Sequence, residues 1–275
     1  MQEGISYIAG AELPCLIVNV TRGGPGLGTI QPAQSDYFQA VRGGGHGDYY
    51  VIVLAPASVQ EMHDFVGLGF DLAFKYRNPT MILTDGVIGQ MMEKVELGPY
   101  TPRWTDEDIE RISGSWATIG KISSRNGTVV TSLELECAEQ ERFNQRLMAK
   151  YDKIRMHEVR CETIACEDAD YILVAYGSSS RICRKALEIG RQEGIKVGLV
   201  RPITLFPFPT DVLREMSHTK KGFLAVEMST GQMVQDVQLA VAERAPVDYY
   251  GRLGGMVPVP MEVIDALKQK IIKER

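Results

Sequence analysis

The chain has 275 residues, 44% of them apolar and 24% charged, with a net charge of −5. That is the composition of an ordinary soluble globular protein, long enough for two compact domains. The acidic balance argues against nucleic acid as a partner, because such a footprint needs a basic face. A membrane is not expected either, since no apolar run approaches the ~20 residues that cross a bilayer.

Met1–Gly10 reads as the middle of an amphipathic helix, with Ile5, Ile8 and Ala9 on one face and no capping residue ahead of it. Leu13–Val20 reads as a buried strand, crowded with apolar and β-branched residues. Thr21 and Arg22 then fall at the carboxyl end of that strand, the end that faces the ligand crevice in open α/β sheets. Gly23, Gly24, Gly26 and Gly28 follow. They let the backbone turn sharply and approach a ligand closely. The spacing is neither the P-loop nor the dinucleotide fingerprint. Two readings stand. The Arg22 fork receives a carboxylate or phosphate through parallel hydrogen bonds, or the segment is a turn whose arginine pairs with a surface acid.

Ser35 or Asp36 opens a short helix, and Gly43-Gly-Gly-His-Gly47 makes a second flexible loop ahead of a buried strand at Tyr49–Ala55. His46 in that loop either touches a ligand near neutral pH or fixes a turn through the backbone. The second reading is preferred, because no partner base or metal ligand stands at readable spacing. Ser58 with Glu61 has capping-box spacing for a helix over 59–76, which Asn78-Pro79 stops before a strand at Thr80–Asp85. Three strands with helical crossovers predict a parallel sheet. Residues 91–167 are charge-rich. Thr105 caps one helix there, and a charged helix over 134–160 carries Phe143, Leu147, Tyr151 and Ile154 as a narrow stripe, suited to a connector.

From Asp170 strands and helices alternate. Strands are expected at 171–175, 196–200, 222–227 and 246–250, with helices at 181–193, 210–217, 232–244 and 260–273. This predicts a second, doubly wound α/β domain. The prolines of Arg201–Pro209 force an extended path between its elements. Gly177-Ser-Ser-Ser180 either holds an anion on free N–H groups or is a plain helix cap. Cys15, Cys137, Cys161, Cys166 and Cys183 form no metal or cluster spacing. Their odd count and the lack of a secretory segment argue for reduced thiols in the cytoplasm.

Glu12-Leu-Pro through Thr21-Arg-Gly-Gly-Pro-Gly-Leu-Gly-Thr-Ile-Gln-Pro-Ala-Gln-Ser-Asp36, Gly45-His-Gly-Asp48 and Val53–Ser58 together resemble the pyrimidine-side subunit of 2-oxoacid:ferredoxin oxidoreductases. Arg201–Pro209 and Val226–Asp236 resemble its transketolase C-terminal-like domain, and Tyr7–Glu12 with Gly26–Pro32 is most like the branched-chain type. The resemblance implies an α/β fold: a portion of a thiamine-diphosphate-type pyrimidine domain over 1–100, a charged helical connector over 101–167 and a transketolase C-terminal-like domain over 168–275. It implies oxidative decarboxylation of 3-methyl-2-oxobutanoate to acyl-CoA and CO2, with electrons passed to ferredoxin. Thiamine diphosphate and Mg2+ would be shared with or carried by a β subunit, iron–sulfur clusters would lie on partner subunits including a ferredoxin-like one, and coenzyme A would be co-substrate. Arg22 matches the family arginine that binds the substrate carboxylate. Thr21 stands beside it, with Gly23, Gly24, Gly26, Gly28 and His46 as the supporting loops.

The family's Gly-rich opening helix, its Tyr-Pro-x-Thr-Pro loop and the glutamate that hydrogen-bonds the aminopyrimidine are not found in this sequence. The expectation is a chain that lacks the family's N-terminal segment, carries no catalytic residue and is inactive alone, with an exposed sheet edge where strands are missing. Three rivals remain: a non-catalytic assembly module, a 2-oxoglutarate- or pyruvate-specific relative, and another thiamine-dependent transketolase-like enzyme.

Overall fold

The computed structural model describes residues 1–98, 104–118 and 128–273. The expected boundary at residues 100 and 101, and a portion of the polar loop through Ser113 and Ser132, lie outside the described residues.

The first layer is built on a four-stranded sheet. Helix α1 (Gln2–Gly10) buries Ile5 and Ala9, one turn apart, as its spacing predicts. It leads to β1 (Cys15–Thr21), then α2 (Tyr37–Val41) and β2 (Ile52–Leu54). Helix α3 (Val59–Tyr76) starts where Ser58 accepts the Glu61 amide through its hydroxyl. Its Glu61 carboxylate accepts the Ala57 amide and reaches across to Arg201. Strand β3 (Pro79–Asp85) is buried throughout, and α4 (Gly86–Gln90) follows. β1 and β2 both run parallel to β3, which lies between them.

β1 differs from its expected burial. It is the edge strand of this sheet, and Val18 and Val20 are 52% and 50% exposed. Its apolar content alone did not distinguish a central strand from an edge. β2 is also shorter than the expected 49–55 run. Ahead of it Tyr50 leaves the ladder and stacks on Phe206, ring centroids 4.5 Å apart.

Helix α5 (Asp106–Ser113) carries the expected Thr105 cap, reinforced by Asp108 as a capping box. Helix α6 (Cys137–His157) buries Leu147, Tyr151 and Ile154 along its predicted stripe. Its charged flank grips the first layer, where Arg146 and Lys150 both pair with Glu12.

The second sheet comprises β4 (Cys161–Ile164), β5 (Tyr171–Val174), β6 (Val197–Pro202), β8 (Gly222–Glu227) and β9 (Val247–Gly251) in the order β4-β6-β5-β8-β9. Between them run α7 (Gly177–Gln192), β7 (Thr204–Phe206), α8 (Thr210–Met216) and α9 (Met233–Val241), and α10 (Pro260–Leu267) follows β9. Four strands are parallel; β4 pairs antiparallel with β6.

Two strands cross the expected partition. β4 lies in the stretch read as connector, yet it is the edge strand of the second sheet. β7, in the proline-rich path, pairs antiparallel with β2 and closes the first sheet. The main apolar core runs through both layers, with Tyr37 of α2 packed 5.8 Å from Tyr176 of the second. A chain that shares a strand and a core between its halves has few independent motions available to either.

Candidate functional site

The parallel strands of the first sheet deliver Thr21 and Asp85 side by side at their carboxyl ends. The chain leaving Thr21 doubles back on itself. Arg22 bridges Pro32, the Gly23 amide donates to Gln31 O at 2.9 Å, and the Thr29 amide donates to Gly23 O at 2.8 Å. Gly28 is indispensable to this closure. It has φ +49°, and a Cβ there would lie 1.8 Å from Gly23 O. Gly23 matters for a different reason. A Cβ on it would sit 2.5 Å from the Thr29 methyl and 3.3 Å from the backbone of Gly254 and Gly255.

Arg22 is exposed, and its Nη1 donates to Leu27 O and to Thr29 O. Among the described residues no carboxylate pairs with it, so the surface-acid reading finds no support. Both its bonds to the loop come from one nitrogen. The Nε/Nη2 edge, which suits a carboxylate bidentately, has no protein acceptor among the described residues. The same loop exposes two large apolar side chains, Leu27 and Ile30, 88% and 81% exposed. The facing loop of the second domain adds half-exposed Leu253 and Met256. Thr21 is 2% exposed, and its hydroxyl has no hydrogen-bond partner among the described residues. A ligand group or water in reach of it would gain a donor already desolvated.

The Gly177–Ser180 turn does receive an anion, and the anion is the protein's own. Asp85 Oδ2 accepts the Ser178 hydroxyl at 2.6 Å and the Ser178 amide at 3.3 Å. Asp85 Oδ1 accepts the amides of Val87 and Ile88. Ser179 donates to Gln34 Oε1 at 2.7 Å, and Ser180 closes onto Gly177 O. Glu227, at the end of the neighbouring β8, is satisfied in the same way. Its carboxylate takes the amides of Gln232, Met233 and Val234 and the Ser229 hydroxyl.

His46 does not join this site. Its loop enters the amino end of β2, whereas Arg22 leaves the carboxyl end of β1, and the two strands run in the same direction. His46 instead lines a 480 Å³ cleft between α1 and α6, with Glu3, Asp48 and Glu134. Sequence reasoning missed Gln34, Asp85 and Glu227. For Asp85 and Glu227 the available signal was position, since each is the last residue of a strand; Gln34, on the loop ahead of α2, carried no such signal.

Burial pushes the Cys161, Cys166 and Cys183 thiols upward, away from the thiolate form. Among the described residues no three His, Cys, Asp or Glu side chains converge on a metal position. A magnesium-bound diphosphate needs oxygen ligands, and the two buried acids at this edge, Asp85 and Glu227, are taken by protein donors. The residues present here therefore do not fit the diphosphate and its magnesium.

Residues 1–141 match the thiamine-diphosphate-binding domain of pyruvate flavodoxin/ferredoxin oxidoreductases, and residues 169–263 match core domain II of pyruvate:ferredoxin oxidoreductase. Ketoisovalerate oxidoreductase subunit VorB of Methanothermobacter thermautotrophicus is 48% identical over 269 residues, 98% of this chain and 74% of that protein. The chain belongs to the 2-oxoacid:ferredoxin oxidoreductase family. The 2-oxoglutarate synthase subunit KorA of Archaeoglobus fulgidus is 36% identical over 258 residues, 92% of this chain and 72% of that protein. The expected likeness to the branched-chain type is thus borne out. A solved 2-oxoglutarate:ferredoxin oxidoreductase from Magnetococcus marinus, with 2-oxoglutarate, coenzyme A and succinyl-CoA bound, superposes with a TM-score of 0.78 at 24% identity. It covers 98% of this chain, which spans 51% of the solved chain, and it establishes the fold. The chain is an oxidoreductase subunit carrying the family's thiamine-diphosphate-binding domain. No described helix is long and apolar enough to cross a membrane.

Proposed function

We propose that this chain is the carboxylate-binding subunit of a branched-chain 2-oxoacid:ferredoxin oxidoreductase, which converts 3-methyl-2-oxobutanoate to acyl-CoA and CO2. The observation that carries the reading is Arg22: an exposed guanidinium braced by two loop carbonyls, without a carboxylate counter-charge among the described residues, on a loop that also exposes Leu27 and Ile30. A 2-oxo acid places its carboxylate on the Nε/Nη2 edge and its alkyl group against these apolar side chains. The chain's contribution is orientation, which converts an encounter into a near-attack arrangement. Thr21 offers its buried hydroxyl beside that position.

Thiamine diphosphate, bound in the assembled complex, would supply the electron sink for the decarboxylation. A β subunit holds the diphosphate and magnesium, and a ferredoxin-like subunit holds the clusters that pass electrons to ferredoxin. No described residue is assigned a proton or electron step, so the chain alone is expected to be inactive.

The deciding experiment assembles the complex with Arg22→Ala and Arg22→Lys and measures 2-oxo-acid-dependent dye reduction. Arg22→Ala is expected to lower kcat/KM by on the order of 2–5 kcal/mol in transition-state binding, chiefly through KM, with Arg22→Lys between it and the parent. Unchanged kcat/KM in a complex that assembles normally removes Arg22 from substrate binding and favours the assembly-module reading. Substrate preference is read by comparing 3-methyl-2-oxobutanoate with 2-oxoglutarate and pyruvate in the parent complex.

A further inference from the structure

The second sheet has a topological switch point. β5 continues through α7 to β6 on one side, while β8 continues through α9 to β9 on the other, and β5 and β8 are neighbours. In an open α/β sheet the crevice beyond the carboxyl ends of two such strands is where a ligand binds. Here Tyr176 and Gly177 stand beyond β5, and Met228 and Ser229 stand beyond β8. The crevice is filled by the side chain of Gln34.

Gln34 is 2% exposed, and both polar atoms of its side-chain amide have partners there. Its Nε2 donates to Tyr176 O at 2.9 Å. Its Oε1 accepts the Ser179 hydroxyl at 2.7 Å and the Met228 amide at 3.0 Å. Its own amide donates to Met228 O at 2.8 Å, and its carbonyl accepts from the Tyr176 hydroxyl at 3.3 Å. The fit extends to Gly177, at φ +55°, where a Cβ would come 3.0 Å from Gln34 Nε2. Buried amides satisfied in this way rigidify what they hold, because any displacement strands several desolvated polar groups at once.

Gln34 closes the loop that begins at Arg22. The returning arm of that loop touches the second domain as well, since a Cβ on Gly255 would lie 2.2 Å from the Gln31 Cβ. Among the described residues the Arg22 guanidinium donates to two carbonyls, both of this loop. Its position therefore depends on how the loop is held: at its base by β1, through the Arg22–Pro32 bridge and the Ala33 amide on Thr21 O, and from the second domain through Gln34 and the Gly255 contact.

We propose that Gln34 is the positioning residue of the Arg22 site: the second domain uses its switch-point crevice to hold Gln34 instead of a ligand, and thereby fixes the guanidinium that receives the 2-oxo acid. The proposal rests on the substrate role of Arg22, and its tests separate the two. Gln34→Met keeps the volume of the side chain and removes its hydrogen bonds. Ser179→Ala removes a single donor to Oε1 and is the milder variant should Gln34→Met fail to fold.

In the assembled complex, amide hydrogen exchange over residues 23–31 is expected to accelerate at least tenfold in Gln34→Met and less in Ser179→Ala. KM for the 2-oxo acid is expected to rise about tenfold, with KM for coenzyme A unchanged. Unchanged exchange over 23–31 in both variants overturns the anchoring. Faster exchange with unchanged KM, in a complex where Arg22→Ala does raise KM, overturns the positioning role. If Arg22→Ala itself leaves KM unchanged while exchange still accelerates, the substrate reading of Arg22 has failed and the anchoring has not.

Discussion

Asp85 joins the two sheets through Ser178: one carboxylate oxygen, Oδ2, accepts both the hydroxyl and the amide of a residue 93 positions away in sequence. Its other oxygen caps α4 in its own layer. A single buried side chain thus terminates an element on each side of the boundary.

Asp85→Asn replaces one acceptor oxygen with a donor that must face either backbone amides or Ser178. Each donor left unpaired costs about 1–3 kcal/mol. Ser178→Ala removes only the hydroxyl and leaves the amide bond, so it should cost less. Thermal unfolding of the two variants measures the order. Equal midpoints for Asp85→Asn and the parent would show that the clasp contributes nothing to joining the layers.

The glycine loop gives a sharper contrast. Gly26 and Gly28 both have positive φ, but a Cβ on Gly26 meets open space while one on Gly28 would strike Gly23 O. Gly26→Ala therefore carries only the left-handed backbone cost of about 1–2 kcal/mol. Gly28→Ala must also reopen the loop that holds Arg22. The expected outcome is a kcat/KM for the 2-oxo acid that falls severalfold for Gly26→Ala and at least tenfold further for Gly28→Ala. Both should unfold near the parent temperature, since the loop is exposed. Equal kinetics in the two variants would separate loop closure from substrate binding.

Arg22 could be placed from the sequence because a strand followed by four glycines has few other geometries. The α6 stripe was equally readable, since Leu147, Tyr151 and Ile154 recur at helical spacing. β4 was hidden because four residues of mixed polarity, Cys161-Glu-Thr-Ile164, become a strand only when β6 offers an edge. β7 was hidden because its partners, Val53 and Leu54, belong to the first layer and lie far back along the chain. Gln34 and Asp85 escaped for the same reason. What makes them important is the face of the second domain that meets them, and no local pattern encodes that meeting.

β1 presents an unpaired strand edge among the described residues, with Val18 and Val20 half exposed. Parallel sheets are ordinarily covered on both faces, and an uncharged edge invites pairing with another chain. The chain on its own is expected to self-associate, and Val18→Lys/Val20→Lys is expected to shift it toward monomer in sedimentation velocity. A parent chain that stays monomeric at high concentration and unfolds in one sharp, concentration-independent transition would show that this edge needs no cover.

Glu158 gives the pH dependence a definite direction. Its side chain is only 3% exposed and accepts from Lys75, Tyr76 and Arg160. Burial pushes the carboxyl upward, but these three hydrogen bonds outweigh it and hold the pKa below its ordinary 4.5. The bond to Glu158 is also the main reason the Lys75 ammonium is held above its usual range. A carboxyl with a depressed folded pKa stabilises the protein above its unfolded value, and that stability is lost as pH falls from 4.5 through the lower folded value. Lys75 is 36% exposed and Arg160 32%, so solvent screens the contribution of both cations. Glu158→Gln is expected to cost about 1–3 kcal/mol at neutral pH and to flatten the acid limb of the stability curve below pH 4.5. Urea unfolding at a series of pH values measures both. Parallel acid limbs for the parent and Glu158→Gln would mean that other carboxyls govern acid unfolding.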